Sequence, residues 1–135
     1  MEDRKIRTID LPKIEDARGN LSYLENQKQI PFDIQRVYWI YDVPGGEFRG
    51  GHAYYQLEEV IIALSGSLDV VLHDGREEHR FTLNRSYYGV YVPKLVWRHL
   101  ENFSTNAVTL VVASEAYNED DYIRDFHDFI EYANQ

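Results

Sequence analysis

Short segments rich in β-branched and aromatic residues alternate with turn residues along most of this chain, and that rhythm confines it to an all-β sandwich or barrel. Candidate strands run over 5–9, 19–25, 34–43, 58–65, 67–73, 77–83, 88–93, 97–102 and 107–113. The breaks between them have a mechanism. Asp74-Gly75 supplies the positive φ of a tight hairpin turn, while Ser65-Gly66 and Pro44-Gly45-Gly46 interrupt the strand periodicity. Antiparallel pairing of consecutive strands is the expectation. The runs 60–64 and 108–112 are apolar without alternation, so both of their faces are expected to be covered, by a second sheet and by a partner subunit. Helical spacing enters only at the end. With Asn118 as N-cap and Glu119, Asp120 and Asp121 in the first turn, Tyr122, Phe126, Phe129 and Ile130 fall on one stripe, which predicts a short helix packed on the sheets.

At 135 residues the chain is long enough for one domain and too short for two of ordinary size. Its 44% hydrophobic content is that of a globular protein, and 11 tyrosines supply amphipathic side chains for a core or a pocket. The lack of cysteine excludes disulfides, thiolate metal sites and a cysteine nucleophile. With 14 basic against 23 acidic residues, a net charge of −9 and no cluster of Lys or Arg, binding to nucleic acid or to an anionic membrane is not expected. An anionic small ligand stays open, provided a few arginines are focused in one cleft. No apolar run approaches the roughly 18 residues of a membrane span, and stretch 1–10 is charged rather than signal-like, so a cytoplasmic location is expected.

The chemistry-bearing stretch is 46–66, GEFRGGHAYYQLEEVIIALSG. Its spacing, Gly46 to His52 to Tyr54 to Glu59 to Gly66, matches the first motif of the cupins, in which the position of Tyr54 is normally a second histidine. The second cupin motif lies over 93–102, PKLVWRHLEN: Pro93 and Asn102 are in place, but Leu95 stands for the expected glycine and Arg98 for the expected histidine. A cupin metal site brings three imidazoles and a carboxylate onto one ion, whereas the four places here hold His52, Tyr54, Glu59 and Arg98. Arg98 puts a permanent cation where the ion would sit, a repulsion of several kcal/mol at an effective dielectric constant of about 20. A metal-free pocket without a cofactor is the expectation. What remains is a strand with His52 and Tyr54 on one face, an imidazole and a phenol suited to moving protons at carbon.

The chain resembles the sugar 3,4-ketoisomerases, small cupins that act on dTDP-4-oxo-6-deoxy-D-glucose. Over nearly its whole length the likeness is carried by Asp16-Ala17-Arg18-Gly19-Asn20-Leu21, Arg36-Val37-Tyr38-Trp39-Ile40, Arg49-Gly50-Gly51-His52-Ala53, Leu57-Glu58-Glu59-Val60, Val96-Trp97 and Asp121-Tyr122-Ile123-Arg124. The resemblance implies a single cupin jelly-roll domain (a double-stranded β-helix), a homodimer with N-terminal strand exchange, and a role in making deoxysugars. Two departures stand out: the family's His-x-His is His52-Ala53-Tyr54 here, and its Val-Trp-His is Val96-Trp97-Arg98. His99, beside the second departure, faces the other side of a regular strand.

On this resemblance His52 is the base that takes the C3 proton beside the C4 ketone and returns one to C4 through an enediol. Tyr54 protonates or stabilises the oxyanion, with a structural phenol as the alternative, and Tyr38 matches a family active-site tyrosine that packing explains equally well. Arg49, which follows a Gly-rich loop, grips the diphosphate of the nucleotide-sugar substrate. Arg98 stabilises enediolate charge, holds phosphate, or pairs with Glu59. Arg18 contributes from the first loop and Trp97 as a wall. His73, His79 and His127 are read as solvated. Two other functions compete: an epimerase on the same fold, and a non-catalytic nucleotide-sugar-binding cupin.

Overall fold

The computed structural model describes residues 5–135. In chain order the strands are β1 (Arg7–Asp10), β2 (Lys13–Ile14), β3 (Leu21–Ser22), β4 (Arg36–Tyr41), β5 (Arg49–Tyr54), β6 (Glu59–Ser65) and β7 (Leu68–His73). They are followed by β8 (Glu78–Leu83), β9 (Tyr88–Val92), β10 (Trp97–Glu101), β11 (Val108–Ala113), a 3₁₀ turn (Glu119–Asp121), β12 (Tyr122–Ile123) and helix α1 (Phe126–Ala133). Two five-stranded sheets, ordered β1-β9-β6-β11-β4 and β12-β5-β10-β7-β8, face each other as the expected cupin jelly roll, and β2 and β3 form a small ribbon. The pairing is antiparallel but, apart from β2–β3 and β7–β8, not consecutive. Strands β6 and β7 adjoin in sequence yet lie in different sheets, so the chain crosses from one sheet to the other where a hairpin was expected. The β7–β8 hairpin follows the sequence reading: Gly75 takes φ 101°, and Asp74 Oδ1 accepts from the amides of Arg76 and Glu77 at 2.8 and 2.9 Å. Strand β1 lies on β9 of its own chain, from Arg7 opposite Tyr91 to Asp10 opposite Tyr88.

The non-alternating apolar runs are covered on both faces along 60–63 and 111–112, largely by this chain itself, whereas Leu64 is 47% exposed. Ile61 and Val111 point into the core between the sheets, with Val70, Leu72 and Leu100 facing them. Val60, Ile62 and Val112 point outward and are sealed by Ile30 and Phe32 from the segment before β4. Pleat alternation sends neighbours to opposite faces, so two apolar environments favour runs in which Thr109 is the one polar residue.

The tail departs from the expected single helix. Asn118 caps only the 3₁₀ turn, its Oδ1 accepting from the Asp120 amide at 3.1 Å. Tyr122 and Ile123 then pair with β5, and the helix starts at Phe126 behind Asp125, whose Oδ1 accepts from the Asp128 amide at 3.0 Å. Burial decides the break: Ile123 is buried with Ala53 and Phe129, a position gained by joining the sheet edge. Two of the histidines read as solvated are engaged. His73 packs edge-on to Phe126 with ring centroids 5.3 Å apart, and His79 bonds Asp74 at 2.9 Å, whereas His127 is exposed.

Candidate active site

Strand β5 carries His52 and Tyr54 on one face, as period-two geometry requires, and their side chains meet with His52 Nε2 2.9 Å from the Tyr54 hydroxyl. Across the sheet, Arg98 on β10 stands opposite His52. Arg49 also lines this pocket, although it is three residues from His52 and an odd spacing alone would turn it away. The register explains the exception: Leu100 pairs with Arg49 while Arg98 pairs with His52, so β5 carries one extra residue, a bulge, between them. Gly50 makes the bulge possible. It sits at φ 74°, and a Cβ there would lie 2.1 Å from Arg98 Nη1.

Behind this row lies a buried ion pair. Arg98, 1% exposed, donates from Nε to Glu59 Oε1 at 2.6 Å and from Nη2 to the Tyr38 hydroxyl at 2.7 Å. Burial opposes its charge, but the Glu59 carboxylate and the Tyr38 and Tyr54 phenols more than compensate and keep the guanidinium charged. The cavity holds about 320 Å³, at the small end for ligand pockets, and its other walls come from Arg36 and Tyr38 on β4, Tyr122 on β12, and Arg124. Arg36 lies between the rings of Tyr38 and Tyr117, at 4.6 and 5.2 Å, and among the described residues its buried Nη1 has no hydrogen-bond partner. A larger hollow of about 500 Å³ around Gln56, Glu58, Lys94 and Glu115 has no histidine in its walls.

The electrostatics follow from burial and from these arginines. The His52 imidazole is pulled down to about 3, first by burial and then by the charges of Arg98, Arg124 and Arg36. It is therefore neutral at physiological pH, the protonation state that a base requires. Burial and the Glu59 charge push the Tyr38 phenol up to about 12, and the same two causes raise Tyr54 further. Both phenols stay protonated and able to donate.

Five of the seven expected site residues converge here: His52, Tyr54, Tyr38, Arg49 and Arg98. Arg18 and Trp97 do not. Arg18 lies in the loop between β2 and β3, where its backbone amide and guanidinium are held by Asp16 at 2.8 and 2.7 Å. Trp97 adjoins Arg98 on β10, so alternation turns it to the opposite face, where it packs on Phe126 and Phe129 at 5.3 and 5.8 Å and forms the seat of α1. His99 likewise faces away and bonds Glu101 at 2.9 Å. The sequence reading missed Arg36, Tyr122 and Arg124 as walls. Arg36 was within reach, since it is two residues before Tyr38 on the same strand face, but Tyr122 and Arg124 were concealed by the helical reading of the tail.

Comparison with known proteins agrees with this geometry. The TDP-4-oxo-6-deoxy-α-D-glucose-3,4-oxoisomerase of Aneurinibacillus thermoaerophilus is 44% identical over 126 residues, covering 93% of this chain and 91% of that protein. A 3,4-ketoisomerase from Helicobacter canadensis superposes with a TM-score of 0.93 at 43% identity, covering 96% of this chain and 98% of the other. QdtA, a sugar 3,4-ketoisomerase from Thermoanaerobacterium thermosaccharolyticum solved in complex with TDP, gives a TM-score of 0.93 at 40% identity over 96% of this chain and 94% of its own. The FdtA family, described as WxcM-like, C-terminal, matches residues 4–134, so the chain, with its jelly roll and its histidine–tyrosine pocket, belongs to that family of sugar 3,4-ketoisomerases.

Proposed function

We propose that this chain moves the keto group of dTDP-4-oxo-6-deoxy-D-glucose from C4 to C3 by metal-independent acid/base chemistry. The observation that carries the reading is the hydrogen-bonded His52–Tyr54 pair set among arginines in a small pocket. Neutral His52 takes the C3 proton, which the adjacent ketone makes acidic, and the electron pair of that C–H bond forms the C3–C4 double bond as O4 gains negative charge. Tyr54 donates to that oxygen, giving the enediol. The Tyr54 phenolate then takes the O3 proton and the His52 imidazolium delivers a proton to C4, which restores both groups and leaves a ketone at C3 and a hydroxyl at C4. Arg98 stands opposite His52 and stabilises the enediolate, and its partner Tyr38 holds the guanidinium in place. Arg49, Arg36 and Arg124 supply the positive field for a diphosphate, consistent with the TDP-linked relatives.

The cupin ligand positions do not fit a metal in this chain. The Glu59 carboxylate is committed to Arg98, and a guanidinium stands where an imidazole would donate. The chain works as a homodimer. Support comes from the outer face of β4, where Val37, Trp39 and Tyr41 stand in a row at 47%, 59% and 59% exposure, an apolar strip that a second copy would bury.

Incubation with dTDP-4-oxo-6-deoxy-D-glucose in deuterium oxide, followed by NMR, tests the activity. The 3-oxo product with deuterium at C4 is expected, at an undiminished rate in strong chelator. His52→Asn should lower turnover at least about a hundredfold with little change in TDP affinity. A wild-type protein that neither isomerises the sugar nor exchanges its C3 proton would leave only a binding role.

A further inference from the structure

The segment 117–124, between β11 and α1, is built as a strap across the active pocket, and the pair His52–Tyr54 rests against it. The Tyr122 ring lies 4.9 Å from the His52 ring and 4.8 Å from the Tyr54 ring, closing a triangle whose third side is the 4.9 Å contact between His52 and Tyr54. On the backbone, Tyr122 stands opposite Tyr54 in the β12–β5 pairing. A strand of two residues is too short to hold that register by its own ladder, and the structure supplies other fastenings. Asp121 is the main one. Its carboxylate oxygens accept from the amides of Gln56 and Leu57 at 2.9 and 3.0 Å, and its carbonyl accepts from the Tyr55 amide at 3.0 Å. Three consecutive amides just past Tyr54 are thus tied to one residue of the strap. Arg124 sits over the Tyr122 ring at 4.2 Å and is itself held by Glu119 at 2.8 Å.

We propose that Tyr122, pinned by Asp121, is a positioning residue that fixes the His52–Tyr54 pair in its reactive geometry. Without the strap β5 would be a sheet edge, and Tyr54 stands at its last position with a loop beyond. The Tyr54 hydroxyl must hold one direction to serve both His52 and the substrate oxygen. Tyr122 supplies a flat wall against both rings, and Asp121 stops the backbone after Tyr54 from drifting. Asp121 does this from outside the cavity, which separates positioning from substrate contact.

The inference rests on the ketoisomerase reading and is tested with the full-length chain by kinetics, TDP binding and NMR of labelled histidine. Asp121→Ala and Tyr122→Ala should each lower kcat by about 10- to 100-fold, the range for a small misplacement of reacting groups, while Kd for TDP stays within about threefold. Tyr122→Phe, which keeps the ring but loses the hydroxyl that hydrogen-bonds Tyr54, and Asp121→Asn, which keeps one acceptor, should each recover kcat to between the alanine variant and the wild type. These milder variants carry the test if the alanine variants fail to fold. Unchanged kcat in Asp121→Ala and Tyr122→Ala, or a loss of TDP affinity in step with kcat, would overturn the proposal. If the wild type itself shows no isomerisation, the functional reading fails, and the strap is judged by the His52 imidazole resonances alone. They should move in Asp121→Ala, and resonances identical to the wild type would refute positioning.

Discussion

At the scale of single residues, the pocket is organised around one buried charge. Arg98 has given up its hydration and is compensated by Glu59 on the facing sheet, so the two must be kept or lost together. Glu59→Gln leaves the guanidinium buried and uncompensated, and the expected destabilisation is about 3–5 kcal/mol, measured by the denaturant midpoint at unchanged m-value. His52 gives the complementary signature in pH. Its value falls from 6.5 to about 3 in the fold, so between these limits the unfolded chain binds more protons than the native one. Its contribution to stability is fully present above 6.5 and is lost as pH falls from there toward 3. Urea midpoints recorded across that window should decline more steeply for the wild type than for His52→Gln, and parallel curves would show that His52 is not desolvated.

At the scale of elements, the C-terminal helix is fixed by one side chain more than by its length. Phe129, 0% exposed, packs against Ile123 and Ala53 and against the Trp97 ring on β10. An eight-residue helix is far too short to persist alone in water, so its order depends on this contact. Phe129→Ala should cost about 3–5 kcal/mol and release the helix, seen as lost amide protection over 126–133 and a red-shifted Trp97 emission. Because α1 follows β12 directly, activity should fall as well. The same element shows where pattern reading went astray. Tyr122, Phe126, Phe129 and Ile130 do share a helical period, but Phe126 is partly exposed and Tyr122 belongs to a strand, so the shared period was coincidence.

At the scale of the whole molecule, the outer face of the first sheet is divided in two. Its middle is sealed by the segment carrying Ile30 and Phe32, while the β4 edge keeps Val37, Trp39 and Tyr41 in the open. A dimer through that edge accounts for the exposed strip without calling on the strands already covered. Trp39→Glu should shift sedimentation from dimer to monomer at micromolar concentration, and a wild type that sediments only as monomer would remove the homodimer.

By itself the sequence determined the sheet-rich class, the hairpin at Asp74-Gly75 and the His52–Tyr54 pair, because each depends on local rules: β-branched runs, a glycine at positive φ, and period two along one strand. The cupin spacing further brought Glu59 and Arg98 to the same place. What only the tertiary structure decided are matters of non-local pairing. Arg49 joins His52 because a bulge at Gly50, stabilised against β10, reverses the face that simple alternation assigns to it. Trp97 leaves the pocket because its neighbour Arg98 takes the inward side, and Arg18 leaves it because Asp16 is a nearer partner. Tyr122 enters because two residues gain more from an open sheet edge, with Ile123 buried beneath α1, than from extending the helix, and no periodicity within the tail could weigh an edge that is completed some seventy residues earlier in the chain.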